Sequence, residues 1–330
     1  MKKLLLTLLL ALCCAAPSWA NYLRGDVNGD GFVAPSDISD LVDYLLGSRN
    51  QVVYADANID GEVAVSDISA LIDYLLSGEW PEGICPEDGV FTVNGVSFTM
   101  IAVECGTFVM GATEEQGSHY SNETPVHHVT LSSYRIGQTE VTQELWMAVM
   151  GNNPSCFTSA NGYIENLQRP VDRVSWDECQ TFVSELNRLT GMNFRLPTEA
   201  EWEFAARGGN NSHHYVYPGS NVVGNVAWYY ENSYNVGRDN PNFGTHSVYT
   251  KEPNELGLYG MGGNVSEWCQ DWYDYYSSTA QTNPTGPETG FGRVLRGGSY
   301  GSAALHCRVS NRLYNLPSYK FDNNGFRLAL

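Results

Sequence analysis

Two stretches of the 330-residue chain hold residues whose types and spacing could do chemistry. One is a pair of acidic loops, DVNGDGFVAPSD from Asp26 and DANIDGEVAVSD from Asp56, set 30 residues apart. Each puts Asp, Asn and Asp at loop positions 1, 3 and 5, Gly at 6 and Asp at 12, the EF-hand ligand pattern with Asp in place of the final Glu. Calcium takes six to eight hard oxygens around a tight turn. Asp26, Asn28, Asp30 and Asp37 can supply side-chain oxygens and Phe32 a carbonyl, and Asp56, Asn58, Asp60, Glu62 and Asp67 repeat the arrangement. Ala34 and Ala64 occupy position 9, where water must serve. The other stretch is RGGSYGSAALHCRVSNR, Arg296 to Arg312, in which Cys307 follows His306 and Ser302. A thiolate there could bind a soft metal or act as a nucleophile, whereas a thiol could be a packed, inert side chain.

The acidic loops need helices to hold them. After each loop, Ile38, Leu41, Val42, Leu45 and Leu46, then Ile68, Leu71, Ile72, Leu75 and Leu76, recur at helical spacing and give one apolar face per copy. A single loop and helix cannot bury such a face, so the copies are expected to pack together as a small all-α domain over residues 21–78. Glu79-Trp80-Pro81-Glu82-Gly83 breaks the pattern and opens a linker, residues 79–90, that carries Cys85.

The stretch around Cys307 belongs to a different kind of sequence, rich in Gly, Asn, Trp and Tyr, over residues 91–330. Thr142 caps a helix that Gly151 ends, Ser175 with Glu178 forms a capping box for a helix stopped by Gly191, and Thr198 with Glu201 forms another for a short helix to Ala206. FTMIAV, GTFVMG and HHVTLSSYRIG are expected strands, so the class is α+β with much irregular structure. Trp146, Trp176, Trp202 and Trp268 are expected to anchor loops through ring nitrogens that need partners. Arg195, Glu199 and Glu201 are expected to hold loops by charge-assisted hydrogen bonds.

The opening MKKLLLTLLLALCCAAPSWA has two lysines, an apolar run and small residues at Ser18-Trp19-Ala20, so residues 1–20 are expected to be a signal peptide on an exported protein. Leu12 before Cys13 is bulkier than a lipoprotein signal prefers, and no later run is long enough to cross a membrane. A formal charge of -19 argues against a nucleic-acid partner and for cations. Six cysteines remain beyond the leader, without a CxxC pair.

The repeat resembles the type I dockerin module, which implies a cohesin-like or other protein receptor. From Phe91 onward, GTFVMGAT, QTEVTQELWMAVMG, RPVDRVSWDECQTF, FRLPTEAEWEFAARGG, NELGLYGMGGNVSEWCQDWY, RVLRGGSY and GFRLAL resemble, in that order, the sulfatase-modifying-factor family, which includes formylglycine-generating enzyme. The resemblance implies a C-type-lectin-like fold. It also implies an oxidase that converts a sulfatase cysteine to formylglycine with oxygen and copper held by two cysteines after the GGS motif. Ser302 stands at the first of those positions and Cys307 at the second, which disfavours copper because a hydroxyl is a poor ligand for Cu(I). Cys307-Arg308 with Arg312 equally fits the family's structural CRxxxR run, and a disulfide with Cys269 would satisfy both thiols. A family calcium site maps to Glu267, Gly263 and Val265, with Gly260 lacking the expected side-chain oxygen. The expected function is therefore a ligand-binding lectin-fold domain, tethered by its calcium repeat, with the oxidase as the alternative. Lectin-fold relatives also serve as variable proteins of diversity-generating retroelements. Gly301, Ser302, Ala303, Leu305, His306, Leu313, Tyr314, Leu316, Tyr319, Phe321 and Asp322 form the corresponding mixed set. Ser302, Leu305, His306, Tyr314, Tyr319 and Phe321 are the expected ligand contacts for a protein or glycan.

Overall fold

The structure, a computed structural model, describes residues 27–28, 33–48, 63, 68–69, 71–72, 75–76 and 88–330. The chain divides after Ile84 into two units. The signal segment, most of the linker, and Asp26, Asp30, Phe32, Asp56, Asn58, Asp60, Glu62 and Asp67 of the acidic loops lie outside the described residues.

In the first unit, helix α1 (Pro35–Leu45) starts on a proline, whose fixed φ suits the first turn. Buried Asp37 accepts from the backbone N–H of Ala34 at 2.8 Å and of Asn28 at 3.2 Å. The twelfth loop residue thus ties the loop to its helix. Val27, Leu41 and Leu71 are buried together, with Val33, Ile38, Leu45, Val63 and Ile68 packed around them. The apolar stripes of the two copies meet, as their spacing requires.

The second unit opens with the hairpin of β1 (Gly89–Val93) and β2 (Val96–Val103), so its first strand starts two residues before the expected boundary. Asn94 and Gly95 turn the hairpin at φ 48° and 84°, the left-handed conformation that two-residue hairpins demand. The remaining strands are β3 (Gly106–Met110), β4 (His127–Leu131), β5 (Tyr134–Gly137), β6 (Ala227–Trp228), β7 (Gly262–Gly263), β8 (Ser266–Trp272), β9 (Gln281–Thr282), β10 (Arg293–Arg296), β11 (Arg312–Asn315) and β12 (Asn324–Gly325). They form small sheets in the orders β1-β2-β5, β3-β4-β9, β6-β7 and β11-β10-β8-β12.

Helices α2 (Gln143–Met150) and α3 (Trp176–Thr190) start and stop where their caps place them. Thr142 accepts from Leu145 N at 3.1 Å, Ser175 accepts from Glu178 N at 3.2 Å, and Gly151 and Gly191 close the helices at φ 73° and 71°. Trp146 of α2 stacks on Phe182 of α3 at 5.2 Å, and Phe326 meets both rings edge-on. The four expected tryptophans all find partners: Trp146 on Asn152, Trp176 on the Cys269 carbonyl, Trp202 on Glu267 and Trp268 on the Val174 carbonyl.

Helix α4 (Glu199–Ala206) is buried at every residue, carboxylates included. A buried carboxylate is costly unless it is paired and hydrogen-bonded. Each therefore has arginine: Glu199 takes Arg312 at 2.6 Å and Arg296 at 2.9 Å, Glu201 takes Arg195 at 2.6 Å, and Glu203 takes Arg296 at 2.6 Å and Arg207 at 2.8 Å. Burial opposes the charge on Glu199, but the Arg312 and Arg296 guanidinium groups hold its carboxyl below the usual carboxylate range. The lattice pins α4 beneath β8 and β10, and so fixes the turn that leads from β10 to Cys307.

Candidate functional site

The turn after β10 is made by Gly297 and Gly298 at φ 85° and 69°. A Cβ on Gly298 would lie 2.8 Å from the His306 carbonyl oxygen, so only glycine lets the Ala304–Cys307 turn fold back this closely. Behind it, Arg308 grips Glu123 through both carboxylate oxygens at 2.6 and 2.8 Å, and Arg312 grips Glu199 at 2.6 and 2.7 Å. The CRxxxR run is therefore a buried strut tied to Glu123 and to α4.

Cys307 is wholly buried. Its Sγ lies 4.0 Å from the Ala303 carbonyl oxygen, and burial, helped by the Glu231 charge, pushes its thiol up to about 12. It is thus a neutral thiol at physiological pH. Cys269 sits in a different environment, buried against Val294 and Val309, and both cysteines are free thiols. The two do not form the expected disulfide: β8 carries Cys269 into the apolar core, while the Cys307 thiol lies against the Ala303 carbonyl. Ser302 is also committed, its hydroxyl 2.9 Å from Ser299 Oγ and accepting from Ser299 N at 3.0 Å. The donor set is one engaged hydroxyl and one sulfur, which does not match the two soft thiolates that copper(I) prefers.

The calcium set expected at Glu267, Gly263 and Val265 is also altered. Both oxygens of Glu267 are held by Arg327, at 2.6 and 2.7 Å, and Trp202 donates to one of them at 2.7 Å. The open oxygen belongs to Glu140, which sequence reasoning missed. Its Oε1 accepts from Asn264 at 3.0 Å, while buried Oε2 has no partner among the described residues. Burial and then the Glu267 charge raise the Glu140 carboxyl well above the carboxylate range. A Cβ on Gly260 would overlap this carboxylate, so Glu140 fills the room that a side chain at 260 would use. Among the described residues no group of three or more His, Cys, Asp or Glu is placed to hold a metal ion.

The expected ligand contacts divide into neighbourhoods. Tyr319 and Phe321, 48% and 49% exposed, meet edge-to-face at 6.2 Å. Their segment joins the GGSY turn through Asn323, which donates to Ser299 Oγ at 3.4 Å. Beside Ser302, whose carbonyl accepts from Tyr230 N at 2.9 Å, exposed Tyr230 and Tyr234 stack at 5.5 Å. These two rings were missed, although the tyrosine-dense run WYYENSY was a signal for them. His306 stacks instead on Tyr120 at 5.6 Å, Tyr314 packs on Tyr273 at 4.4 Å, and half-buried Leu305 gives its carbonyl to Arg308.

The layout is a loop-rich α+β domain of the C-type-lectin-like class, with the formylglycine-generating-enzyme arrangement of short sheets. The chain belongs to the sulfatase-modifying factor enzyme 1-like family, whose profile matches residues 92–330, and the dockerin type I profile matches residues 24–76. It is 33% identical to a protein named chaperone protein LppX from Paenibacillus barcinonensis, covering 70% of this chain and 86% of that one. It is 30% identical to the formylglycine-generating enzyme of Streptomyces coelicolor, covering 68% and 86% respectively. Among solved structures, Treponema denticola variable protein 1 superposes with a TM-score of 0.65 at 36% identity, over 74% of this chain and 99% of its own. PvdO from Pseudomonas aeruginosa shares the fold at 24% identity, with a TM-score of 0.58 over 73% of this chain and 97% of its own.

Proposed function

We propose that this is an exported member of the family whose lectin-fold domain binds a protein or glycan, and whose calcium-loaded repeat docks it to a cohesin-like or other protein receptor. Copper-dependent oxidase chemistry is not part of this reading. One observation carries it: at the two positions where the family's copper thiolates would stand, Ser302 offers a hydroxyl already hydrogen-bonded to Ser299, and only the buried Cys307 offers sulfur. Family membership does not decide the activity, because relatives bearing such different names as chaperone and formylglycine-generating enzyme share one scaffold. Calcium is assigned to the paired loops and not to Glu267, whose oxygens are already held.

The ligand surface is supported by a pattern of exposure. Gly301, Ser302, Ala303, Leu305, His306, Leu313, Tyr314, Leu316, Tyr319, Phe321 and Asp322 are all exposed or half-exposed, while Cys307–Arg312 between them is buried. Tyrosine and phenylalanine offer large contact areas at small entropic cost, which suits recognition. The similarity to a protein titled a variable protein points the same way.

The test incubates the purified protein with copper, oxygen and a CxPxR peptide, and follows the peptide by mass spectrometry. An unchanged peptide is expected, and conversion of its cysteine to formylglycine would sink the reading. Array screening for protein and glycan ligands, repeated with Tyr319→Ser and Phe321→Ser, should give signals that the variants lose.

A further inference from the structure

A cavity of about 560 Å³ opens between the N-terminal end of α4, strands β3 and β4, and the loop 273–287. That volume falls within the roughly 300–1,000 Å³ typical of small-molecule sites. It is distinct from the Ser302 surface. Its floor is Asp271 on β8, only 4% exposed, whose Oδ2 accepts from Glu199 N at 2.9 Å. Oδ1 has no hydrogen-bond partner among the described residues, although the side chain lines the cavity. Tyr275, 77% exposed, stands on the solvent side, and Pro284-Thr285-Gly286-Pro287 forms the rim. Gly286, at φ 71°, brings that rim so close that a Cβ would lie 3.3 Å from Asp271 Oδ1.

The charges around this carboxyl are otherwise settled. Glu199 is satisfied by Arg296 and Arg312, and Glu201 by Arg195. Arg312 also donates to the Asp274 carbonyl at 2.8 Å. Arg293 is sandwiched between Trp176 and Trp272 at 3.8 and 3.7 Å and donates to the Gln270 carbonyl. His127 packs on Tyr276 at 4.8 Å, with Nδ1 3.3 Å from the Pro125 carbonyl oxygen, and Asp274 is exposed on the loop. No cation among these groups donates to Oδ1. The Tyr276 ring already takes a cation on its face, Arg312 at 3.9 Å. Arg312 also lines the cavity, but its charge is taken up by Glu199, which leaves the Asp271 carboxyl without a cation hydrogen-bonded to it and the Tyr275 ring open.

We propose that this cavity binds a small organic ammonium ion, with Asp271 Oδ1 as its counter-charge and Tyr275 as its ring wall. The site goes beyond the lectin-surface reading and stands or falls independently of it. Burial, and then the Glu199 charge, pushes the empty-site Asp271 carboxyl up to about 8. Binding a cation must therefore expel a proton at neutral pH.

The experiment is calorimetric titration of the full chain with n-butylammonium, with Nα-acetyl-lysine methylamide and with n-butanol. Butylammonium should bind with proton release, and its affinity should rise by about tenfold per pH unit between pH 6 and 7.5. Binding of butylammonium alone assigns the site to free amines, and binding of the lysine derivative as well assigns it to lysyl side chains. Asp271→Asn should abolish binding. If that variant does not fold, Tyr275→Ala, at an exposed position, should weaken binding several-fold with the fold intact. Butanol binding as well as butylammonium, binding without pH dependence, or no ammonium binding at all would overturn the proposal.

Discussion

The two units deal with acidic side chains in opposite ways. In the large domain, the carboxylates of α4 are buried and each meets an arginine supplied by the same chain. In the repeat, Arg24 and Arg49 are the only bases between residues 21 and 78, so the acids there have almost no internal counter-charge. The acids of α4 have their cations within the chain, whereas in the function proposed above the repeat takes its cations from solution. The stability of α4 and its surroundings should be indifferent to calcium, and that of the repeat should depend on it.

Calcium chelation is the largest test of that contrast. It should unfold the repeat while leaving the large domain folded, read as loss of helical signal and new proteolytic cleavage confined to residues 21–78. Restoring calcium to a thousand times its dissociation constant should return about 4 kcal/mol. Asp30→Ala with Asp60→Ala should reproduce the chelated state at any calcium level.

Next in size is Arg296→Met. It leaves Glu199 with Arg312 alone and Glu203 with Arg207 alone, and a broken buried pair typically costs about 3–5 kcal/mol. Denaturant midpoints should show this with or without calcium, and a loss under about 1 kcal/mol would mean that the arginine lattice is not what holds α4.

Asp172 gives a smaller, pH-dependent effect. Burial raises its carboxyl to about 7 and, although Oδ1 accepts from Cys156 N at 2.6 Å, Oδ2 has no partner among the described residues. The native state therefore keeps a proton that the unfolded chain releases near its usual value of about 4. Stability from this group is full below about pH 4 and is lost as pH rises toward 7, with a slope of at most about 1.4 kcal/mol per pH unit. Melting curves of Asp172→Asn should lack that decline, and an unchanged slope would remove Asp172 as its source. Smallest of all, Tyr314→Ser and Phe321→Ser should change stability by under about 0.5 kcal/mol, since both rings stand at the surface.

How much of this was legible depended on how local the signal was. Caps at Thr142, Ser175 and Thr198 involve neighbours three residues along, so α2, α3 and α4 could be read directly. The complete burial of α4 could not, because Glu199, Glu201 and Glu203 alternate like exposed residues and their partners are up to 113 residues away. The same distance hid Glu140 behind Gly260 and the cavity over Asp271, whose walls come from five separate segments. The Ser302 substitution was legible because it breaks a motif. The fate of Cys307 was not, since burial is a property of the folded turn.

The buried strut from Cys307 to Arg312 has one further consequence. It separates positions whose side chains carry little of the fold from positions that carry much of it, within a run of about twenty residues. Substitutions on either side of the strut can accumulate without passing through unfolded intermediates. If the proposed ligand surface is correct, a lineage carrying this chain can change that surface while inheriting a single frame.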